Sequence, residues 1–250
     1  MSQSKRDLRA ERKAAREAQE RAAAQAEARR RRTWRLLGVT AIAAIAVAVA
    51  VAVSASGGSN PPAVKTGDAA TLVAGIPEKD GVLGDPDAPI TVTEYLDPQC
   101  PICAEASKTA LPHLIDTYVK TGKVKLQART MSFLGPDSVT AAKFAAGAAQ
   151  QGKLWAFLET FYASQGTENS GYVTDDFLTD VAEAAGVDAK QALDYADTQA
   201  AQDELDAVDA EAQTLGVNST PTFVMTSNGT TKVIAVGLDG LQAKLDEALS

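Results

Sequence analysis

The sequence predicts an α/β domain whose sheet halves are separated by a run of helices, preceded by an apolar membrane-spanning helix. Three observations predict it. A strand pattern from Ile90 to Leu96 runs into Cys100-Pro-Ile-Cys103, and a helix pattern runs out of it. A second strand pattern, Lys123 to Thr130, follows that helix; strand–helix–strand of this length reads as a parallel unit with a right-handed crossover. After an almost wholly helical stretch at 138–215, two more strand patterns and a helix close the chain.

Charge divides the chain before the fold does. The 250 residues carry a formal charge of -8. Residues 1–35 hold 12 Lys/Arg against 5 Asp/Glu, and the remainder holds 12 against 27. The arm at 1–35 is rich in Ala, Arg, Glu, Lys and Gln, all good helix formers. It lacks an apolar a/d stripe, which argues against a coiled coil. A solvated cytoplasmic helix whose arginines set topology and touch anionic lipid is the expectation, with no nucleic acid as partner.

Residues 36–53 are uncharged and nearly all apolar. Eighteen residues at ~1.5 Å each span roughly 27 Å, enough for a bilayer core. Arg29 to Arg32 and Arg35 flank one side only, which places the arm in the cytoplasm and the rest outside. Trp34 suits an interfacial anchor. Val53-Ser54-Ala55 resembles a cleavage site, but the preceding arm is long and the apolar run exceeds the usual ~7–15 residues. A single-pass signal-anchor in the cell membrane is therefore expected over a cleaved peptide. Residues 54–75 read as a flexible linker, and 76–250 as the folded domain.

The chemistry centres on the only two cysteines. Pro101 suits the first position of a helix, where its missing N–H has no partner to lose. Cys100 then falls at the N-cap, facing free N–H groups and the positive end of the helix dipole. A thiolate is favoured there, and the thiolate is the attacking species. Cys103 lies one turn further in, as resolving thiol. Zinc needs four ligands, and the chain offers no second cysteine pair and one histidine, His113. No metal and no cofactor is expected. Every cysteine belongs to the motif, which agrees with export to an oxidising compartment.

Within the first strand, alternation puts Ile90, Val92, Glu94 and Leu96 on one face. A carboxyl on an apolar face must be protonated, be paired, or lie where that face is open. Its strand delivers Cys100, so proton transfer to the buried thiol is its candidate role. The helix from Pro101 is expected to reach Thr121, stop at Gly122, and kink or break at Pro112.

In the helical stretch, Leu154, Trp155, Phe157, Leu158 and Phe161 form an apolar core stripe. Thr174 and Asp188 are N-cap candidates, and Gly186 and Gly216 are stops. Thr222–Thr226 and Thr231–Val236 are predicted strands joined around Asn228-Gly229, a strong hairpin signal. Leu238 to Leu249 reads as an amphipathic closing helix.

Three segments in this order, Gly84-Asp-Pro-Asp-Ala-Pro-Ile-Thr-Val-Thr-Glu-Tyr, Cys100-Pro-Ile-Cys103 and Ser219-Thr-Pro-Thr-Phe223, resemble the DsbA-like branch of the thioredoxin-fold thiol oxidoreductases. The likeness covers residues 76–250. It implies a thioredoxin fold of four or five strands with the helical block inserted. It implies a cis Thr220-Pro221 bond beside the cysteines, where Pro101, Ile102, Thr220 and Pro221 would meet an extended substrate segment as an added strand. Glu94 falls where the family carries its buried acid.

The strongest oxidants of the family carry a histidine between the cysteines, where this chain has Pro101-Ile102. The resemblance implies disulfide formation in cysteine-containing, unfolded exported proteins, with reoxidation by a membrane-bound quinone-linked partner. The same residues also suit a reductase or isomerase, or a non-enzymatic tethered module.

Overall fold

A computed structural model describes residues 61–65, 68–233 and 239–249. The basic arm, the apolar segment 36–53 and the first part of the linker lie outside the described residues. Among those described, no helix is long and apolar enough to cross a membrane.

The elements in chain order are α1 (Asp68–Thr71), β1 (Glu78–Lys79), β2 (Val82–Leu83), β3 (Ile90–Leu96), α2 (Pro101–Thr109), α3 (Leu111–Leu114) with a π-helical turn Ile115–Val119, and β4 (Val124–Thr130). The inserted helices are α4 (Pro136–Ala149), α5 (Leu154–Ala163), α6 (Asp175–Ala185), α7 (Ala189–Ala196) and α8 (Gln199–Leu215). They are followed by β5 (Thr222–Ser227), β6 (Thr230–Val233) and α9 (Asp239–Leu249).

The sheet has six strands in the order β1-β2-β4-β3-β5-β6, against the four or five expected. β3 and β4 run parallel, pairing Ile90 with Val124 through Leu96 with Thr130. β5 runs antiparallel to β3 on its other side. The added strands form a hairpin in a stretch that reads as turn-rich. Asp80 and Gly81 sit at φ 51° and 74°, the tight turn that an Asp-Gly pair favours. Asn228 and Gly229 make the matching turn between β5 and β6 at 50° and 72°. The predicted extension of that last strand past Val233 lies outside the described residues.

The helix after Cys103 breaks rather than running to Thr121. Pro112 has no N–H to give the carbonyl of Lys108, so α2 ends at Thr109 and Pro112 opens the first turn of α3. Gly122 follows at φ 70°, as a stop should. The expected caps are in place: Thr174 and Asp188 accept from Phe177 N–H and Gln191 N–H, while Gly186 and Gly216 are left-handed.

The core lies between the sheet and the inserted helices. Phe144, Phe157, Phe161, Tyr172 and Phe177 form a chain of aromatic contacts within the inserted block. Gly147 lets α4 approach the Ala192 backbone of α7; a Cβ on it would lie 2.5 Å from the Ala192 carbonyl oxygen. Glu78 of the added hairpin accepts from the Leu154 N–H at 2.7 Å, capping α5 from a distance, and burial raises its pKa to about 7. Part of the expected linker packs on the domain. Val73 is buried, Val64 and Leu72 lie against the core, and Lys65 N–H donates to Ser164 Oγ at 2.9 Å.

Candidate active site

β3 is the central strand, so whatever follows it emerges at the carboxyl end of the sheet beside β5. Asp97-Pro-Gln makes the turn there. Cys100 N–H donates to the Asp97 carbonyl at 2.9 Å, closing it. The Asp97 carboxylate is fully buried and accepts from Gln99 N–H at 2.8 Å, Ser138 Oγ at 2.6 Å and Leu134 N–H at 3.2 Å. Burial raises its pKa and these hydrogen bonds oppose the rise. Gln99 reaches the other way: its side chain donates to Tyr172 Oη at 2.8 Å and accepts from Asn169 N–H at 3.0 Å. Gln165 donates to the Pro98 and Cys100 carbonyls at 2.8 and 3.2 Å.

Cys100 is the N-cap of α2, with Pro101 in the first turn. Its sulfur accepts from Cys103 N–H at 3.4 Å and, as a thiol, donates to the Thr220 carbonyl at 3.4 Å. The Cys100 pKa is lowered to about 6, chiefly by the hydrogen bond to the Cys103 side chain. Burial opposes this, and the Thr220 side chain and the Cys103 and Ile102 N–H groups add to the lowering. Both cysteines are free thiols. Cys103 is fully buried, and its pKa is driven far above the ordinary range by burial, the Cys100 hydrogen bond and the nearby Glu94 charge. The two sulfurs are therefore chemically unequal: one ionises readily, the other holds its proton.

The Thr220-Pro221 bond is cis and stands against Cys100. Ile102 is 60% exposed at the tip of the motif, and Phe133, on the loop after β4, is 49% exposed. Glu94 pairs across the sheet with Ala128 and Phe223 and is only 7% exposed. Of the three alternatives for this carboxyl, an open face is excluded by that burial. Burial, then the Cys100 charge, raises its pKa to about 8. No salt bridge among the described residues includes it.

Cys100, Cys103 and the Thr220-Pro221 segment thus meet at the carboxyl end of the sheet, the charge of Glu94 acts on Cys103, and Pro101 and Ile102 are exposed. Asp97, Gln99, Tyr162 and Glu159 were not singled out. Asp97 lay in plain view three residues before Cys100. Glu159 is 4% exposed, with its pKa raised to about 8, first by burial. Its signal was a lone acid amid an apolar stripe. Among the described residues no group of His, Cys, Asp or Glu side chains could hold a metal ion.

A family model described as Thioredoxin matches residues 77–247. The "Probable disulfide bond formation protein D" of Bacillus anthracis is 36% identical over 103 residues, covering 40% of this chain and 46% of that protein. The chain thus matches under half the length of that curated relative. A solved thioredoxin-like oxidoreductase from Silicibacter pomeroyi is 30% identical, with 67% of this chain and 91% of that one covered at a TM-score of 0.56. Oxidised BdbD from Bacillus subtilis, at 23% identity, shares the fold with a TM-score of 0.61 over 76% of this chain and 99% of its own. Matching fold and relatives together, the chain belongs to the thioredoxin family.

Proposed function

We propose that this chain forms disulfides in exported proteins, held at the outer membrane face by residues 36–53. The observation that carries the reading is the inequality of its two sulfurs. A substrate thiolate attacks Cys100 of the Cys100–Cys103 disulfide, giving a mixed disulfide and releasing Cys103. A second substrate thiol then attacks the substrate sulfur, and Cys100 leaves as the thiolate its surroundings favour. Glu94 supplies and removes the Cys103 proton. Ile102 and the Thr220-Pro221 segment meet the substrate chain, which adds as a strand. A membrane-bound quinone-linked oxidase restores the disulfide.

With the Cys100 pKa lowered to about 6, thiolate stabilisation at pH 7 amounts to roughly 1.4 kcal/mol, or ~30 mV for a two-electron couple. Family thiolate values run from ~3.5 in a strong oxidant to ~7 in thioredoxin. The reduction potential is therefore expected between about -270 and -120 mV. A measured value at or below about -270 mV would sink the oxidase reading.

The reverse task, as reductase or isomerase, is favoured by one observation: no histidine stands between the cysteines. The redox state in cells decides, with disulfide supporting the oxidase and dithiol the reductase. A Cys100→Ser variant abolishes function under both readings; a tethered binding module would keep it.

A further inference from the structure

We propose that Glu159 and Ser107 form the outer half of a proton path that joins Cys103, through Glu94, to a surface cleft at the C-terminal end of α2. The inference rests on the thiol–disulfide reading above and assigns residues that reading does not use.

The need for a path follows from burial. Cys103 is out of contact with water, yet it must take up a proton whenever the disulfide opens. Ser107 stands one helical turn beyond Cys103 on the same face of α2. Its hydroxyl donates to Glu159 Oε2 at 2.5 Å, and both groups are buried. Together they line a cleft of about 230 Å³ that opens beside exposed Lys108, with Leu72 and Pro112 on its other walls. Glu159 therefore has one side toward the protein interior and one toward water.

Tyr162 lies three residues along α5 from Glu159. Its hydroxyl donates to the Asp97 carbonyl at 3.2 Å, under the active-site turn. Burial first, and then the charges of Cys103, Glu94, Asp97 and Glu159, raise its pKa. Ser107 of α2 bonds to Glu159, Lys108 of α2 lines the same cleft, and the Glu94 charge from β3 acts on it, with Tyr162 about one turn on along its own helix. No salt bridge among the described residues neutralises either carboxyl. The Glu94 charge adds to the rise of the Glu159 pKa, after burial. At neutral pH both carboxyls hold protons that they can pass on.

The step balances without an outside oxidant. The substrate thiolate forms one S–S bond to Cys100 as the Cys100–Cys103 bond breaks. Cys103 leaves with the electron pair and takes a proton from Glu94. Glu94 is reprotonated from Glu159, and Glu159 from water in the cleft. Reoxidation runs the same protons outward.

The test is reduction of the oxidised full-length chain by dithiothreitol, followed by rapid quench from pH 5 to 9 in light and heavy water. Glu159→Gln is expected to slow opening about tenfold, less than the ~100-fold low end of direct general acid catalysis because Glu159 acts through Glu94, and to shift the inflection near pH 8 that the two carboxyls share. Formate, small enough for the cleft, should restore part of the rate in Glu159→Ala. The pH midpoint of Cys100 alkylation should stay fixed. Ser107→Ala, which keeps the carboxyl, should move the inflection, and it carries the test if the Glu159 variants do not fold. Unchanged pH profiles and isotope effects in folded variants overturn the path alone. If dithiothreitol fails to open the wild-type disulfide, the thiol–disulfide reading falls and the path with it.

Discussion

Replacing Glu94 by Gln should stabilise the reduced protein, by an amount that grows with pH. Glu94 is 7% exposed on the central strand, with its pKa raised from 4.5 to about 8, first by burial and then by the Cys100 charge. A raised acid holds its proton in the folded state and loses it in the unfolded one. Between pH 4.5 and about 8 the folded state therefore binds more protons, and wild-type stability falls as pH rises. From the shift, Glu94 costs about 1 kcal/mol at pH 5 and about 3 kcal/mol at pH 7. The Gln amide cannot ionise, so its own burial cost is the same at every pH. Urea unfolding of wild type and Glu94→Gln at several pH values from 4.5 to 8 measures the gap between them. A gap that stays constant with pH, or narrows as pH rises, refutes the reasoning. The same variant should slow disulfide opening, so that stability and activity move in opposite directions.

Further outcomes follow from the same geometry. Alkylation of Cys100 should show a midpoint near pH 6, and Cys103→Ala should raise it, because the Cys103 side chain is the largest cause of the depression; a midpoint near 9 in wild type would contradict the assignment. Asp97→Ala leaves the Gln99 N–H, Ser138 hydroxyl and Leu134 N–H without their acceptor and should cost about 3 kcal/mol or more in urea unfolding, whereas Asp97→Asn should lose much less. Gly147→Ala should destabilise by roughly 1–3 kcal/mol by thermal melting, despite the better helix propensity of Ala, because the new methyl meets the Ala192 carbonyl.

Local signals with one physical solution were legible in the sequence. Cys100-Pro-Ile-Cys103 at a strand-to-helix junction, the caps at Thr174 and Asp188, the stops at Gly186 and Gly216, and Asn228-Gly229 each constrain a few neighbouring residues, and each is found in place. The hairpin at Asp80-Gly81 carried the same turn chemistry, but its flanking strands are two residues long and show no alternation. Long-range facts were not legible. Glu94 is buried on a strand that lies inside the sheet, between β4 and β5, a placement that its own alternation does not reveal. Glu159 is enclosed because α5 is buried almost all round, so that no face remains for an acid to reach water. The hydrogen bonds that Gln99 makes span some seventy residues of sequence, and local pattern carries no trace of them.

The turn that presents Cys100 is tied to the inserted helices through Asp97, Gln99 and Gln165. Such anchoring on three sides gives the reacting sulfur the same place in space at each encounter. Adaptation must then come from the visitor. Under the proposed disulfide exchange, loose, still-unfolded segments would bend to that fixed point, while rigid finished surfaces would be turned away on shape.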